Sequence, residues 1–246
     1  MRKNTSKKLT CIALSLLMLV SILPLTVMAE ETETSGGKLA LQEISDSLNS
    51  ISYAEYKETY EGVERGKRTV TIDGADYQRD ETDADVEVDG NVLKIGDSGK
   101  VTWNVNVPDE GMYAIRIEYT SESDKTNSVE RMLYINGAIP FKEARFILLK
   151  KAWVNEYAEG GRFELDTAGN ELRPSAVVAS KWETGDFIDS NGYYLNPFEF
   201  YFKKGENTIA LEGVREPLSV KSITLYPYED KLSYEEYLSE NNGSAG

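Results

Sequence analysis

Three aromatic and four polar residues crowd one stretch of the chain. Trp182, Tyr193 and Tyr194 carry flat apolar faces, and Asp186, Asp189, Asn191 and Arg173 carry carboxylate, amide and guanidinium groups close by. Such a set is suited to stacking on a pyranose ring and bonding its hydroxyls, because the ring faces are apolar and the hydroxyls need directed partners. Charged Lys181 and Glu183 flank Trp182, which argues against an ordinary core position in a strand. A tryptophan in a long irregular stretch also serves as that stretch's hydrophobic anchor, and both readings stand at this point. Trp103 differs. It shares a period-two face with Val101 and Val105, and is expected in the core.

Much other chemistry is excluded by what is missing. The chain has no histidine, so the usual general base and the commonest metal ligand are gone. Its one cysteine, Cys11, lies in an N-terminal apolar run, which leaves no thiol nucleophile or disulfide further on. Carboxylate pairs can cleave glycosides, but no spacing singles out a pair among 42 acidic residues. A non-catalytic protein without cofactor or metal is expected. The formal net charge of −15 repels phosphate backbones and anionic lipid heads, so nucleic acid is a poor partner.

These residues have to be positioned by elements, and the elements read as follows. Arg2, Lys3, Lys7 and Lys8, an apolar run from Leu9 to Leu25, and Val27-Met28-Ala29 predict a signal peptide over 1–29. Cleavage there would place the protein outside the cell, with no membrane insertion. A polar linker follows over 30–38, and the stripe Leu39, Leu41, Ile44, Leu48, Ile51, Tyr53, Tyr56, Tyr60 predicts a helix over 39–62. From residue 68 the period drops to two. Val101, Trp103, Val105 and Val107 lead through Pro108-Asp109-Glu110-Gly111 into Tyr113, Ile115, Ile117 and Tyr119, the pattern of an antiparallel hairpin. Further strands are expected at Met132–Ile135, Phe198–Phe202, Thr208–Leu211 and Val220–Tyr226. Many short strands and little internal helix mean an all-β sandwich over 68–227. Between Phe141 and Leu195 the alternation fails, and an elaborated loop region at one end of the sandwich is expected.

One motif occurs twice. Ser52-Tyr53-Ala54-Glu55-Tyr56 reappears as Ser233-Tyr234-Glu235-Glu236-Tyr237. The segment 228–246 is therefore read as a helix or linker, either packing back as a terminal element or leading into a further domain.

Five segments, in order, resemble carbohydrate-binding modules of families 6 and 35: Ile72-Asp73-Gly74-Ala75-Asp76-Tyr77, Gly99–Val105, Val107–Tyr113, Leu133-Tyr134-Ile135-Asn136-Gly137 and Lys204–Ile209. The resemblance implies a galactose-binding-like jelly roll flanked by linker helices, with a glycan or oligosaccharide as partner. Asp166–Pro174, Lys181-Trp182-Glu183, Asn191–Tyr194 and Gly213–Pro217 look like sandwich domains of Firmicutes extracellular solute-binding proteins of ABC transporters. That likeness implies a transporter permease as partner, reached through a downstream domain. Where the carbohydrate modules place calcium-binding acids, this chain keeps Asp73 but has Ala75 and Lys221, so no calcium is expected there. The alternatives are a ligand-free spacer of a cell-surface assembly and an accessory domain of a glycoside hydrolase.

Overall fold

The computed structural model describes residues 50–241. The expected signal peptide, the linker, residues 39–49 of the expected helix, and residues 242–246 lie outside them. Among the described residues no helix is long and apolar enough to cross a membrane.

The described residues open with a short helix, α1 (Tyr53–Thr59), and close with another, α2 (Tyr234–Asn241); thirteen strands lie between. They are β1 (Val70–Asp73), β2 (Val86–Asp89), β3 (Val92–Ile95), β4 (Lys100–Val107), β5 (Gly111–Ser121), β6 (Val129–Ile135), β7 (Ile147–Leu149), β8 (Trp153–Glu156), β9 (Ser175–Val178), β10 (Glu183–Asp186), β11 (Glu199–Phe202), β12 (Gly205–Arg215) and β13 (Leu218–Tyr226).

Seven strands form the larger sheet, in the order β10-β5-β13-β3-β2, with β11 also on β5 and β1 also on β13. Four form the smaller sheet, in the order β4-β12-β6-β7. All these pairs are antiparallel. The architecture is an all-β jelly-roll sandwich.

Alternation closes the core. Val101, Trp103, Val105 and Val107 of β4 point inward toward Tyr113, Ile115, Ile117 and Tyr119 of β5, and all are almost fully buried. Each such aliphatic side chain contributes about 1.5–3 kcal/mol on burial. The Trp103 indole Nε1 donates to the Gly74 carbonyl at 2.8 Å, so its one polar atom is matched inside.

The expected hairpin between these two strands does not form. β4 pairs with β12 and β5 pairs with β13, in different sheets. Pro108–Glu110 carries the chain across the sandwich instead of back along one sheet. The alternation is the same in both cases, because a strand's apolar face records only which side is buried.

The irregular span is also more ordered than expected. It supplies β7 to the smaller sheet and β10 to the larger one, and β8 and β9 pair with each other as a separate two-stranded ribbon.

The cationic groups of Arg131 and Lys151 are held inside. Arg131 is fully buried, and its guanidinium donates to the carbonyls of Glu130, Arg215 and Glu216 at 2.8, 3.0 and 2.9 Å. Lys151, its side chain 1% exposed, donates to the carbonyls of Ser123 and Lys125 at 3.2 and 2.9 Å and lies 3.7 Å from the Glu216 carboxylate. Glu216 holds a left-handed backbone at φ 63°. Arg215 and Glu216 pair with different partners, Arg215 with Glu130 and Glu216 with Lys151 and Lys125.

Within the stretch expected as helix over 39–62, the described residues place α1 at Tyr53–Thr59, with Ile51 ahead of it in extended chain. Ser52 and Glu55 cap it reciprocally: the Ser52 side chain accepts from the Glu55 N–H, and the Glu55 side chain from the Ser52 N–H. The tyrosines then reach the edge strand β11. Tyr53 Oη accepts from the Glu199 N–H at 3.0 Å, and Tyr56 Oη from the Tyr201 N–H at 2.9 Å. Two donors that an open edge would leave unpaired are thereby closed.

Candidate functional site

The larger sheet turns a polar face outward. Outward residues of β5, β13 and β10 come side by side because Asp186 lies opposite Arg116, and Arg116 opposite Thr224. The Arg116 guanidinium forks onto the Asp186 carboxylate, with Nε–Oδ1 2.7 Å and Nη2–Oδ2 3.1 Å. It also lies 4.5 Å from the centre of the Tyr226 ring. The pair has a fixed planar geometry and keeps further hydrogen-bonding capacity on both partners.

Beside this pair is a cleft of about 440 Å³. Its walls include Arg116, Asp186, Leu195, Tyr226, Tyr228 and Lys231. The Tyr226 hydroxyl is buried without a well-directed hydrogen bond. Burial, and next the Asp186 carboxylate, push its pKa up to about 12. Tyr228 is held by its hydroxyl to Asn196 Oδ1 at 3.1 Å and by the Arg65 guanidinium at 5.4 Å from its ring centre. The cleft thus offers aromatic surface, the cations Arg116 and Lys231, and the carboxylates Asp186 and Glu229.

Of the residues expected to bind, only Asp186 lines this cleft. Trp182 lies just before β10, four residues from Asp186, so both side chains belong to the same outward face. Its ring is partly exposed and lies 5.8 Å from Lys221 Nζ, which is itself paired with Glu118 at 2.7 Å. Asp189 is turned inward. Its carboxylate accepts from the backbone N–H groups of Asn191, Tyr193 and Tyr194 at 3.0, 2.7 and 3.3 Å, which makes it the holder of the loop. Tyr194 packs at the base, its ring edge-on to Tyr53 at 4.9 Å. Asn191 and Tyr193 are exposed, Tyr193 at 83%. Arg173 stands elsewhere, around a hollow of about 170 Å³ with Tyr157, Arg162 and Phe163.

Arg116, Tyr226, Tyr228 and Lys231 were not singled out by the sequence reading. One signal was present: Arg116 is the charged residue between inward Ile115 and Ile117. The others are brought in by strand order, which local pattern does not carry. Among the described residues, no group of three acidic or other metal-ligating side chains converges. At the position where calcium was not expected, Lys221 Nζ bonds Glu118 and the Lys221 carbonyl accepts from the Gly74 N–H.

No protein-family model matches the sequence, and no curated protein matches it. Solved structures do. A Podospora anserina GH26-CBM35 β-(1,4)-mannanase is 14% identical with a TM-score of 0.37, covering 67% of this chain and 28% of the enzyme. A family 35 carbohydrate-binding module from Clostridium thermocellum is 13% identical with a TM-score of 0.32, covering 68% of this chain and 97% of the module. The C-terminal family 6 module of a Zobellia galactanivorans laminarinase is 14% identical with a TM-score of 0.34, covering 64% of this chain and 98% of the module. The chain is similar to carbohydrate-binding modules. It spans under a third of the mannanase, matching a fraction of that enzyme's length.

Proposed function

We propose that the sandwich is a non-catalytic glycan-binding module acting outside the cell, with the cleft beside Arg116 and Asp186 as its binding surface. The observation that carries this reading is the company kept there: an ion pair of fixed geometry with two tyrosines on the wall of one cleft. Trp182, on the same outward face, extends the surface for a longer oligosaccharide. The basic, apolar N-terminal sequence supports export, and the segments resembling extracellular solute-binding proteins support a place beside a transporter permease.

The test is titration of the purified chain against a panel of neutral and acidic oligosaccharides. Tyr228→Ala and Arg116→Met are expected to weaken binding at least tenfold, with Trp182→Ala weakening only the longer ligands. A chain that binds none of the panel, or whose binding ignores all three substitutions, overturns the reading. A spacer without ligand is the second reading. It is favoured by the internal pairing of Arg116 with Asp186, which already satisfies both charges.

A further inference from the structure

Acidic residues outnumber basic ones by 42 to 27 in this chain, yet two arginines side by side lack an ion pair. Arg162 and Arg173 stand around the hollow of about 170 Å³ together with the carboxylates of Glu156 and Glu164. No nitrogen of either arginine comes within 4.0 Å of a carboxylate oxygen among the described residues. Neither glutamate side chain has an ion-pair or hydrogen-bond partner there either. Four charges of opposite sign thus face one space without closing on each other.

The backbone keeps them apart. Glu156 ends β8 opposite Ser175 of β9. The chain then turns at Gly160-Gly161, left-handed at φ 79° and 73°, and returns through Arg162, whose carbonyl accepts from the Ala158 N–H at 3.0 Å. A second turn follows. Its Asp166 carboxylate accepts from the Ala168 and Asn170 N–H groups at 2.9 and 2.8 Å, and the Leu172 N–H donates to the Glu164 carbonyl at 2.7 Å. Arg162 and Glu164 therefore sit on one leg, Arg173 on the next and Glu156 on β8. Tyr157 and Phe163 add an aromatic wall, their rings edge to face at 5.5 Å.

The volume lies below the roughly 300–1,000 Å³ of sites for drug-sized molecules, so the hollow suits one small unit. Paired guanidinium groups match a carboxylate. The two glutamates repel a plain anion, a phosphate most of all, and call for a cation on the same molecule. A neutral sugar would leave all four charges unanswered.

We propose that this hollow is a second binding site, separate from the cleft beside Arg116, and that it takes a small zwitterion: an α-amino acid with an apolar side chain. Its carboxylate meets Arg162 and Arg173, its ammonium group meets Glu156 and Glu164, and its side chain lies on Tyr157 and Phe163.

The test is titration of the full chain with leucine and with phenylalanine, followed at the amide resonances of Tyr157 and Phe163. Saturable shifts are expected, weakened by added salt because the charges are exposed. The N-acetyl derivative lacks the ammonium group and the amide derivative lacks the carboxylate, and each is expected to bind at least tenfold more weakly. Arg162→Met/Arg173→Met and Glu156→Gln/Glu164→Gln are each expected to cost at least tenfold with the melting temperature unchanged. If the double arginine variant does not fold, Arg173→Lys, which keeps the charge and loses the fork, takes its place and is expected to weaken binding. None of these residues lines the Arg116 cleft, so a chain that binds no glycan leaves this test intact. Absence of saturable shifts with both amino acids overturns the proposal, as do shifts that survive the substitutions. An N-acetyl derivative that binds as tightly as the free amino acid overturns it in favour of a plain anion site. Equal shifts with a neutral sugar overturn it in favour of a further glycan surface.

Discussion

Arg131 is a charge that the fold has enclosed, and burial lowers its pKa to about 10. Its guanidinium donates to three backbone carbonyls, those of Glu130, Arg215 and Glu216. Arg131→Met should therefore cost roughly 3 kcal/mol or more, read from urea unfolding, because it strands those acceptors out of water. The Arg116–Asp186 pair is the opposite case. Both side chains keep solvent contact, at 45% and 25%, so Arg116→Met should change stability by no more than about 1 kcal/mol. The contrast lets a loss of glycan binding in that variant be read as a local effect. A third expectation concerns alkaline pH. Burial raises the Tyr53, Tyr119 and Tyr226 hydroxyls to about 12 and Tyr56 further. Folded, these groups hold protons that the unfolded chain gives up near 10. The stability they contribute is fully present below pH 10 and is lost as pH rises toward 12. Tyr119→Phe, measured by thermal melts across that window, should flatten the loss.

At the scale of elements, α1 is too short to be stable alone and persists through its cap and its docking face. Ser52→Ala should cost about 1 kcal/mol by removing the cap. Tyr56→Phe should cost about 1–3 kcal/mol by leaving the Tyr201 N–H unmatched, with faster exchange at that amide as the specific sign. The long central strands were legible because their side chains alternate: Val101 to Val107 and Tyr113 to Tyr119 do so without interruption, and Val220 to Tyr226 does so on either side of one register shift between Val220 and Ser222. The short edge strands were not. β10 reads Glu-Thr-Gly-Asp, has no apolar face of its own and is extended because β5 lends it a ladder. Asp186 was legible as a chemical group. Its partner Arg116, seventy positions earlier, became a partner only when β10 took its place beside β5.

For the molecule as a whole, the sandwich followed from period two, while the assignment of β4 and β5 to one hairpin did not survive. Which strand neighbours which is settled by long-range fit, and here a three-residue crossing sends two strands adjacent in sequence to opposite sheets. Trp103 occupies the middle of that fit, and Trp103→Ala should cost about 3–5 kcal/mol in denaturant unfolding. The corner around Lys151 bears on how the protein meets its surroundings. An ammonium group lodged among two carbonyl oxygens and a carboxylate does the work of a bound cation, yet it is fixed to the chain by a covalent bond. It can be neither chelated nor diluted away, so that corner keeps its shape whatever the mineral content of the medium around it.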